Sequence, residues 1–372
     1  MSESFFNSLE SKLNQFSFPV WGVVDFDLAW PAFMEHQSRY QNWIDKSYHG
    51  SMTYLERGLE RRMDPRNLMS TAKSILCVAV PYPTKRPGFE SAADGPRYAR
   101  YLHGKDYHIE IRDQLESLIC ELKMDLRSAN ADGLEYKVCV DTSALLERTW
   151  AYLCGLGWLG KNTLLIHPKL GSYFFIGTVL LSKKTGRTPN IKPNYCGQCT
   201  RCLSGCPTQA FVGTSELDSR KCISYLNLED RSEWPDQTNN DNVLGPCLAG
   251  CDICQEVCPF NLKRERENRK DFGGAEAMSL GWLGLLHESA EEYALRVKNS
   301  ALNRIRTKQH DRNLLHAMGG ALEENIACNN RNEIEKYYIA IQNRIERNEA
   351  PDHREGWVLL ARRIDQSLNA KR

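Results

Sequence analysis

Two cysteine series, each ending in Cys-Pro, carry the most specific chemistry in the chain. The first, Cys196-x-x-Cys199-x-x-Cys202-x-x-x-Cys206-Pro207, has the spacing that holds a 4Fe–4S cube by thiolates. The second, Cys251-x-x-Cys254-x-x-x-Cys258-Pro259, has its leading cysteine displaced upstream to Cys222. Where two such cubes share a chain, the fourth cysteine of each run crosses to the other cube, because the Cys-Pro turn carries the backbone away. One cluster is therefore expected from Cys196, Cys199, Cys202 and Cys258, and another from Cys222, Cys251, Cys254 and Cys206. Zinc also takes Cys-x-x-Cys pairs, but four close cysteines closed by Cys-Pro and then repeated fit it poorly. Cys247 lies near the second run and is an alternative to Cys222. The spacing Cys247-x-x-x-Cys251 breaks the two-residue rule, so Cys222 is favoured and Cys247 reads as a spare thiol.

Outside the cysteines, Asp141 is the carboxylate placed for chemistry. It follows an apparent strand, Tyr136 to Val140, and precedes a helical stretch beginning near Ala144. In α/β domains sites collect at the C-terminal ends of strands; the plain alternative is that Asp141 is an N-cap. The segment Gly155-Leu156-Gly157-Trp158-Leu159-Gly160-Lys161-Asn162 matches G-x-G-x-x-G and nearly matches a P-loop. Both motifs need a strand just before the glycines, whereas Ala144 to Cys154 reads as helix. The glycines are therefore expected to form a turn of close backbone approach, with Lys161 and Asn162 able to meet an anionic or amide-bearing ligand. Asp106-Tyr107-His108 is a third polar cluster, with side chains able to move or organise protons.

These residues need elements to hold them. Apolar β-type runs (Val20 to Val24, Ile75 to Val80, Tyr136 to Val140, Phe174 to Leu181) alternate with helical stretches. The cleanest helix places Leu115, Leu118, Ile119, Leu122 and Leu126 on one face. That alternation predicts a sheet covered by helices. Thr84 to Gly95 and the Asn-rich Asp230 to Asn242 read as loops, and Lys183 to Pro193 as a linker. Beyond about residue 263 the chain turns helical and charged, with Ala301 to Ala317, Glu333 to Arg347 and Trp357 to Leu368 as candidate helices. No clean period repeats there. In that region Arg304, Arg306, Lys308 and Arg312 face only Asp311, a run that is commonly a wet helix face and otherwise a phosphate-binding strip.

With 372 residues the chain can bury two or three cores. A net charge of +1 excludes a global polyelectrolyte, so nucleic acid would need a local patch. Of 14 cysteines, those outside the two sets have no regular spacing and read as reduced thiols. Met1 to Pro19 lacks a basic region followed by an apolar one, and no apolar run approaches the roughly 20 residues of a membrane span. A soluble, cytoplasmic protein is expected.

Taken together, Asp106-Tyr107-His108, Val140-Asp141-Thr142-Ser143, Gly157-Trp158-Leu159-Gly160-Lys161-Asn162-Thr163, the first cysteine run with Pro207-Thr208-Gln209-Ala210, Cys222-Ile223-Ser224-Tyr225-Leu226 and Gly250-Cys251-Asp252-Ile253-Cys254-Gln255 resemble the epoxyqueuosine reductase family. The resemblance implies a cobalamin-dependent iron–sulfur enzyme that reduces epoxyqueuosine to queuosine at the wobble position of a tRNA. It implies cob(II)alamin, two 4Fe–4S clusters, an external low-potential electron donor and Asp141 as proton donor, its pKa raised by partial burial. Tyr107, His108, Asp141, Lys161, Asn162, Thr163 and Asp252 are the candidates for the corrin environment, since the Asp-x-His-x-x-Gly corrinoid motif is absent. Arg148, Arg304, Arg306, Lys308 and Arg312 are the candidates for the tRNA anticodon stem-loop.

The implied fold is α+β and multidomain. It comprises an α/β reductase-like cobalamin-binding domain over 1–187, a bacterial ferredoxin-like domain with two clusters over 188–262, and a C-terminal α-helical, HEAT-like tRNA-binding region over 263–372. A monomer without membrane contact is expected. The competing readings are another corrinoid iron–sulfur reductase, such as a reductive dehalogenase, and a two-cluster electron-transfer subunit.

Overall fold

The computed structural model describes residues 2–16, 18–82, 95–128, 133–232, 244–264, 280–328, 330–349 and 351–369. Most of the two expected loops, 84–94 and 233–242, lies outside the described residues. The chain divides into two compact units, each assembled from separate stretches: 1–84, 106–220 and 253–270 in the first, and 85–105, 221–252 and 271–372 in the second.

The first unit is built on a four-stranded sheet in the order β1 (Val20–Asp25), β2 (Ser74–Pro81), β6 (Phe174–Leu181), β3 (Tyr136–Cys139). Every neighbouring pair is antiparallel, with Val24 opposite Ile75, Cys77 opposite Thr178 and Val138 opposite Val179. This corrects the premise drawn from doubly wound sheets, in which strand direction locates the site. Uninterrupted apolar runs report that both faces of a strand are covered; they do not report its direction.

Both faces are indeed covered. Ile75, Cys77 and Ala79 of β2 join Phe26, Ala29 and Phe33 of α2 (Phe26–Asp45) and Trp150, Ala151 and Leu153 of α4 (Glu147–Leu153) in one core. Phe33 stacks on Trp150 with centroids 4.2 Å apart, and Phe26 meets the same indole edge-on. On the opposite face, α3 (Tyr107–Ser128), which also packs against α1 (Ser2–Gln15), turns in Ile111, Leu115, Leu118, Ile119, Leu122 and Leu126, all buried. There a Cβ on Gly177 of β6 would come within 2.8 Å of Ile111, so only glycine lets α3 lie that close.

The stretch expected as a linker is pinned at its start. Asp25, 2% exposed, accepts the Thr185 N–H and hydroxyl at 2.8 Å each and the Gly186 N–H at 2.9 Å. After α4 the glycines support a hairpin of β4 (Trp158–Leu159) and β5 (Leu165–Ile166). A Cβ on Gly157 would lie 2.2 Å from the Ile166 carbonyl oxygen. The G-x-G-x-x-G sequence thus follows a helix and builds a turn of close backbone approach.

In the second unit, Arg97–Tyr98 pairs in parallel with Cys247–Ala249. Against that pair pack α5 (Ile223–Leu228) and α8 (Thr307–Ala327), and the unit is completed by α6 (Trp282–His287), α7 (Ala290–Val297), α9 (Arg331–Glu346) and α10 (Arg354–Asn369). Ser289 caps α7 with a complete capping box through Glu292. A buried Arg344–Asp311 pair at 2.6 Å, with the Trp357 indole N–H on the same carboxylate, ties α8, α9 and α10 together.

Candidate active site and cluster cysteines

Asp141 stands just past the end of β3 with φ +57, in the left-handed region that few residues other than glycine adopt. It is not the N-cap of α4, because that position belongs to Leu146. Instead Glu147, in the first turn of α4, reaches back and accepts the Asp141 backbone N–H on Oε1 at 2.9 Å. The Asp141 carboxylate accepts the Tyr107 hydroxyl on Oδ2 at 2.9 Å and lies 3.3 Å from Nε2 of His108. On the other side of that ring, Nδ1 is 2.6 Å from Oδ1 of Asp106, which also accepts the His108 backbone N–H at the start of α3. The Tyr107 ring lies parallel to Phe175 at 4.0 Å and 9°. Arg112 donates to the Thr142 hydroxyl at 3.3 Å.

Sequence-adjacent Tyr107 and His108 are thus brought to Asp141 from a different element. Burial of the His108 imidazole lowers its pKa, but the hydrogen bonds and charges of Asp141 and Asp106 prevail and raise it above 6.5. Desolvation, then the charge of Asp141, pushes Glu147 well above the usual carboxylate range. The Asp141 side chain is itself 56% exposed, which departs from the partial burial expected of it. Its Oδ2 is the meeting point of the phenol and the imidazole.

Lys161, Asn162 and Thr163 occupy the turn of the β4–β5 hairpin, and the first two are tied to the cysteine segment. Lys161 donates to the Gly197 carbonyl at 2.7 Å, and Asn162, 3% exposed, donates to the Cys254 carbonyl at 3.5 Å. Thr163 has φ +66, and its carbonyl accepts Arg148 Nη1 at 2.7 Å. Asp252, in the second unit, is buried; it accepts the Arg100 backbone N–H at 2.7 Å and the Arg100 guanidinium at 3.1 Å. Its carboxylate therefore serves a buried ion pair, which removes it as an open contact for a ligand.

The first cysteine set is assembled in one place. Cys258 packs with Cys196, Trp158 and Phe260. Burial, followed by the charge of Cys196, pushes Cys202 up, and burial pushes Cys258 up against backbone hydrogen bonds from Phe260 and Asn261, with nearby Cys196 and Cys199 adding to the rise. Thiols gathered in this way suit a polycationic iron core that would hold them as thiolates. The Trp158 indole N–H points at Cys196 Sγ from 3.4 Å, and the Ala210 N–H at Cys206 Sγ from 3.4 Å. Such donors fit cluster thiolates and tune their potential. Of the second set, Cys206 and Cys254 belong to the first unit, and Cys222 and Cys251 to the second. Cys247 is buried in its strand, and its carbonyl accepts from Asn227 at 3.1 Å.

The basic run does not act as one patch. Arg304 and Arg306 are exposed, with Arg304 paired to Glu229, and Lys308 is exposed and 3.4 Å from Asp352. Arg312 is 3% exposed and donates to the carbonyls of Leu226, Asp230 and Ser232 at 2.7 to 2.9 Å. Those three carbonyls and Oδ1 of Asn313, which accepts from Nε and Nη2, engage all five guanidinium hydrogens, so it is withdrawn from any phosphate.

Comparison with known proteins gives the family. Residues 195–261 match the family described as a 4Fe-4S double cluster binding domain, and residues 62–142 match that described as Epoxyqueuosine reductase QueG, DUF1730. An epoxyqueuosine reductase of Aliivibrio fischeri is 31% identical over 369 residues, covering 98% of this chain and 93% of its own. The chain belongs to the epoxyqueuosine reductase family. The family protein of Cyclobacterium marinum is 32% identical over 289 residues, or 77% of this chain and 90% of its own. An epoxyqueuosine reductase solved with a tRNA-Tyr epoxyqueuosine-modified stem loop shares the fold at a TM-score of 0.73 and 22% identity, covering 99% of each chain.

Within this epoxyqueuosine reductase fold, sequence reasoning missed Glu147, Phe175 and Asn227. Glu147 lies six residues beyond Asp141, a spacing that becomes contact only because the intervening chain bends. Asn227 is fully buried, accepts the Gly250 N–H at 2.8 Å and donates to the Gly250 carbonyl at 3.1 Å. A wholly buried amide in a helix next to Cys222 is found by its environment, since no motif marks it.

Proposed function

We propose that this protein reduces the epoxide of epoxyqueuosine in a tRNA anticodon loop to the cyclopentene of queuosine, with Asp141 as the proton donor. Family membership supports the reaction, and the stem loop bound by a relative of the same fold supports the substrate. The observation that carries the residue assignment is the convergence of the Tyr107 hydroxyl and His108 Nε2 on Oδ2 of Asp141. Removing the epoxide oxygen as water consumes two electrons and two protons, so an acid must stand at the oxygen as the carbon–oxygen bond breaks. Asp141, exposed and backed by a phenol and an imidazole of raised pKa, can give a proton and be resupplied.

The donor set fits the cofactors this family implies. When bound, cobalamin supplies the low-potential centre for reduction, and the 4Fe–4S clusters on Cys196, Cys199, Cys202, Cys258 and on Cys222, Cys251, Cys254, Cys206 supply single electrons. Both ring nitrogens of His108 are engaged by carboxylates, so it offers no free nitrogen to cobalt, as suits a corrinoid held without a protein imidazole. Tyr107 and His108 would orient the acid beside the corrin, while Lys161, Asn162 and Thr163 shape the turn that meets the cysteine segment.

The roles divide as cofactor and acid chemistry over 1–187, clusters over 188–262 and tRNA contact over 263–372, where Arg304, Arg306 and Lys308, with Arg148, would meet phosphates. A single-stranded anticodon loop lets the modified base splay outward to the acid. No described helix is long and apolar enough to cross a membrane, and the working form is a cytoplasmic monomer fed by an external low-potential reductant. The test is incubation with epoxyqueuosine-containing tRNA, cobalamin and such a reductant, followed by nucleoside mass analysis. Conversion to queuosine is expected; epoxyqueuosine recovered unchanged by a cluster-replete protein overturns the reading.

A further inference from the structure

Asp141 is held in two ways. Its side chain meets Tyr107 and His108, and its main chain is held by Glu147, which accepts its N–H at 2.9 Å. The backbone there needs a hold, because φ +57 sets the side chain of an L-residue against its own carbonyl oxygen. From Val140 to Leu145 the chain is a series of bends, whose internal support includes the Thr142 N–H on the Val140 carbonyl and the Leu145 N–H on the Ser143 carbonyl. Glu147 itself stands on firm ground. It opens α4, whose Trp150, Ala151 and Leu153 are fully buried in the core.

We infer that Glu147 is a latch, a positioning residue that keeps the Asp141 carboxyl on Tyr107 and His108 by holding the Asp141 N–H. The latch matters to turnover only if Asp141 is the proton donor, the reading on which it rests. With the N–H held, the left-handed turn presents the carboxyl to the phenol and imidazole. With it released, Asp141 relaxes toward extended backbone and its carboxyl swings off the relay. Electrostatics agree with so close an approach. Burial, then the charge of Asp141, pushes the Glu147 carboxyl up, while Arg62 and Arg148 act in the opposite sense.

The experiment compares holoenzyme carrying Glu147→Ala, Glu147→Gln and Asp141→Asn, by hydrogen–deuterium exchange of the peptide spanning 140–146 and by steady-state kinetics on tRNA. In Glu147→Ala, exchange in that peptide is expected to rise about tenfold while α3 keeps its protection, because the missing partner serves the loop alone. The kcat should fall about tenfold with KM for tRNA within about twofold, the split that marks loss of an interaction made at the chemical step. Glu147→Gln, whose amide oxygen can accept the same N–H, should restore protection and recover most of the kcat. Wild-type exchange in Glu147→Ala, or a Gln variant as unprotected as the Ala variant, overturns the latch. Should the Ala variant loosen α4 as well, the Gln variant decides in the same two directions. Full turnover by Asp141→Asn would break the proton-donor reading instead, whatever the exchange shows.

Discussion

The Tyr107 hydroxyl donates to Oδ2 of Asp141 at 2.9 Å from a ring that lies flat on Phe175. Stacking fixes the phenol's plane, so the direction of its O–H is set before any substrate arrives. Tyr107→Phe keeps the stack and removes the donor; kcat is expected to fall about tenfold with cluster content unchanged, against about 10²- to 10⁴-fold for losing the acid in Asp141→Asn. Single-turnover assays with iron analysis on the same samples check both. A Tyr107→Phe enzyme at full rate would remove the phenol from the relay.

The His108 pKa gives a signed pH dependence. Folding raises it above 6.5, because the Asp141 and Asp106 interactions outweigh burial. The stabilisation it brings is complete below the unfolded value and is lost as pH rises through the higher folded one. Wild-type melting temperature should therefore decline from about pH 6.5 upward more steeply than that of His108→Gln. Equal slopes would mean that the imidazole titrates alike in both states.

Cys258 belongs to the second run in sequence but sits beside Cys196 and Cys199 of the first. Cys258→Ser and Cys196→Ser should therefore lose the same cluster, lowering iron from about eight to about four atoms per chain, with the same surviving electron paramagnetic signal after reduction. Two different surviving signals would assign Cys258 to the other cube.

Arg306 and Arg312 are close in sequence and opposite in environment. Arg306→Glu should weaken tRNA binding and reduce the salt slope by about 0.7 to 0.9 for each phosphate no longer neutralised. Arg312→Leu should leave the carbonyls of Leu226, Asp230 and Ser232 without their donor and cost about 3 kcal/mol of stability, with no specific change in salt slope. Filter binding across a salt series and chemical denaturation separate the two. A stable Arg312→Leu with a reduced slope would return that residue to the RNA surface.

The strand Phe174–Leu181 was legible residue for residue, because eight consecutive positions of apolar and small residues can only be a strand buried on both faces or part of a longer helix. Its antiparallel pairing was not, since direction is decided by connections across the whole unit. Asp141 was visible as a carboxylate at a strand end, but the reading of it as an N-cap failed because Glu147 and a left-handed turn replaced capping. In the basic run, the sequence shows charge and conceals burial. Arg312 differs from Arg306 only through the buried carbonyls it satisfies, which lie some eighty positions upstream.

Helix α8 lays a polar face on the backbone between the second cluster's cysteines. Asn313 donates to the carbonyls of Asn227 at 2.7 Å and Leu248 at 3.1 Å, and Gln309 donates to Asn227 as well. The segment between the cluster cysteines and the helix that follows Arg306 are thereby joined in one piece of structure. In an iron-starved cell, the segment from Cys222 to Cys251 would lose its inorganic anchor, the amides of α8 would lose their seats, and the helix with Arg306 at its head would drift with them. If Arg306 meets tRNA as proposed, such a chain would release its nucleic acid when it could no longer move electrons, sparing the cell an inert protein sequestering its transfer RNA.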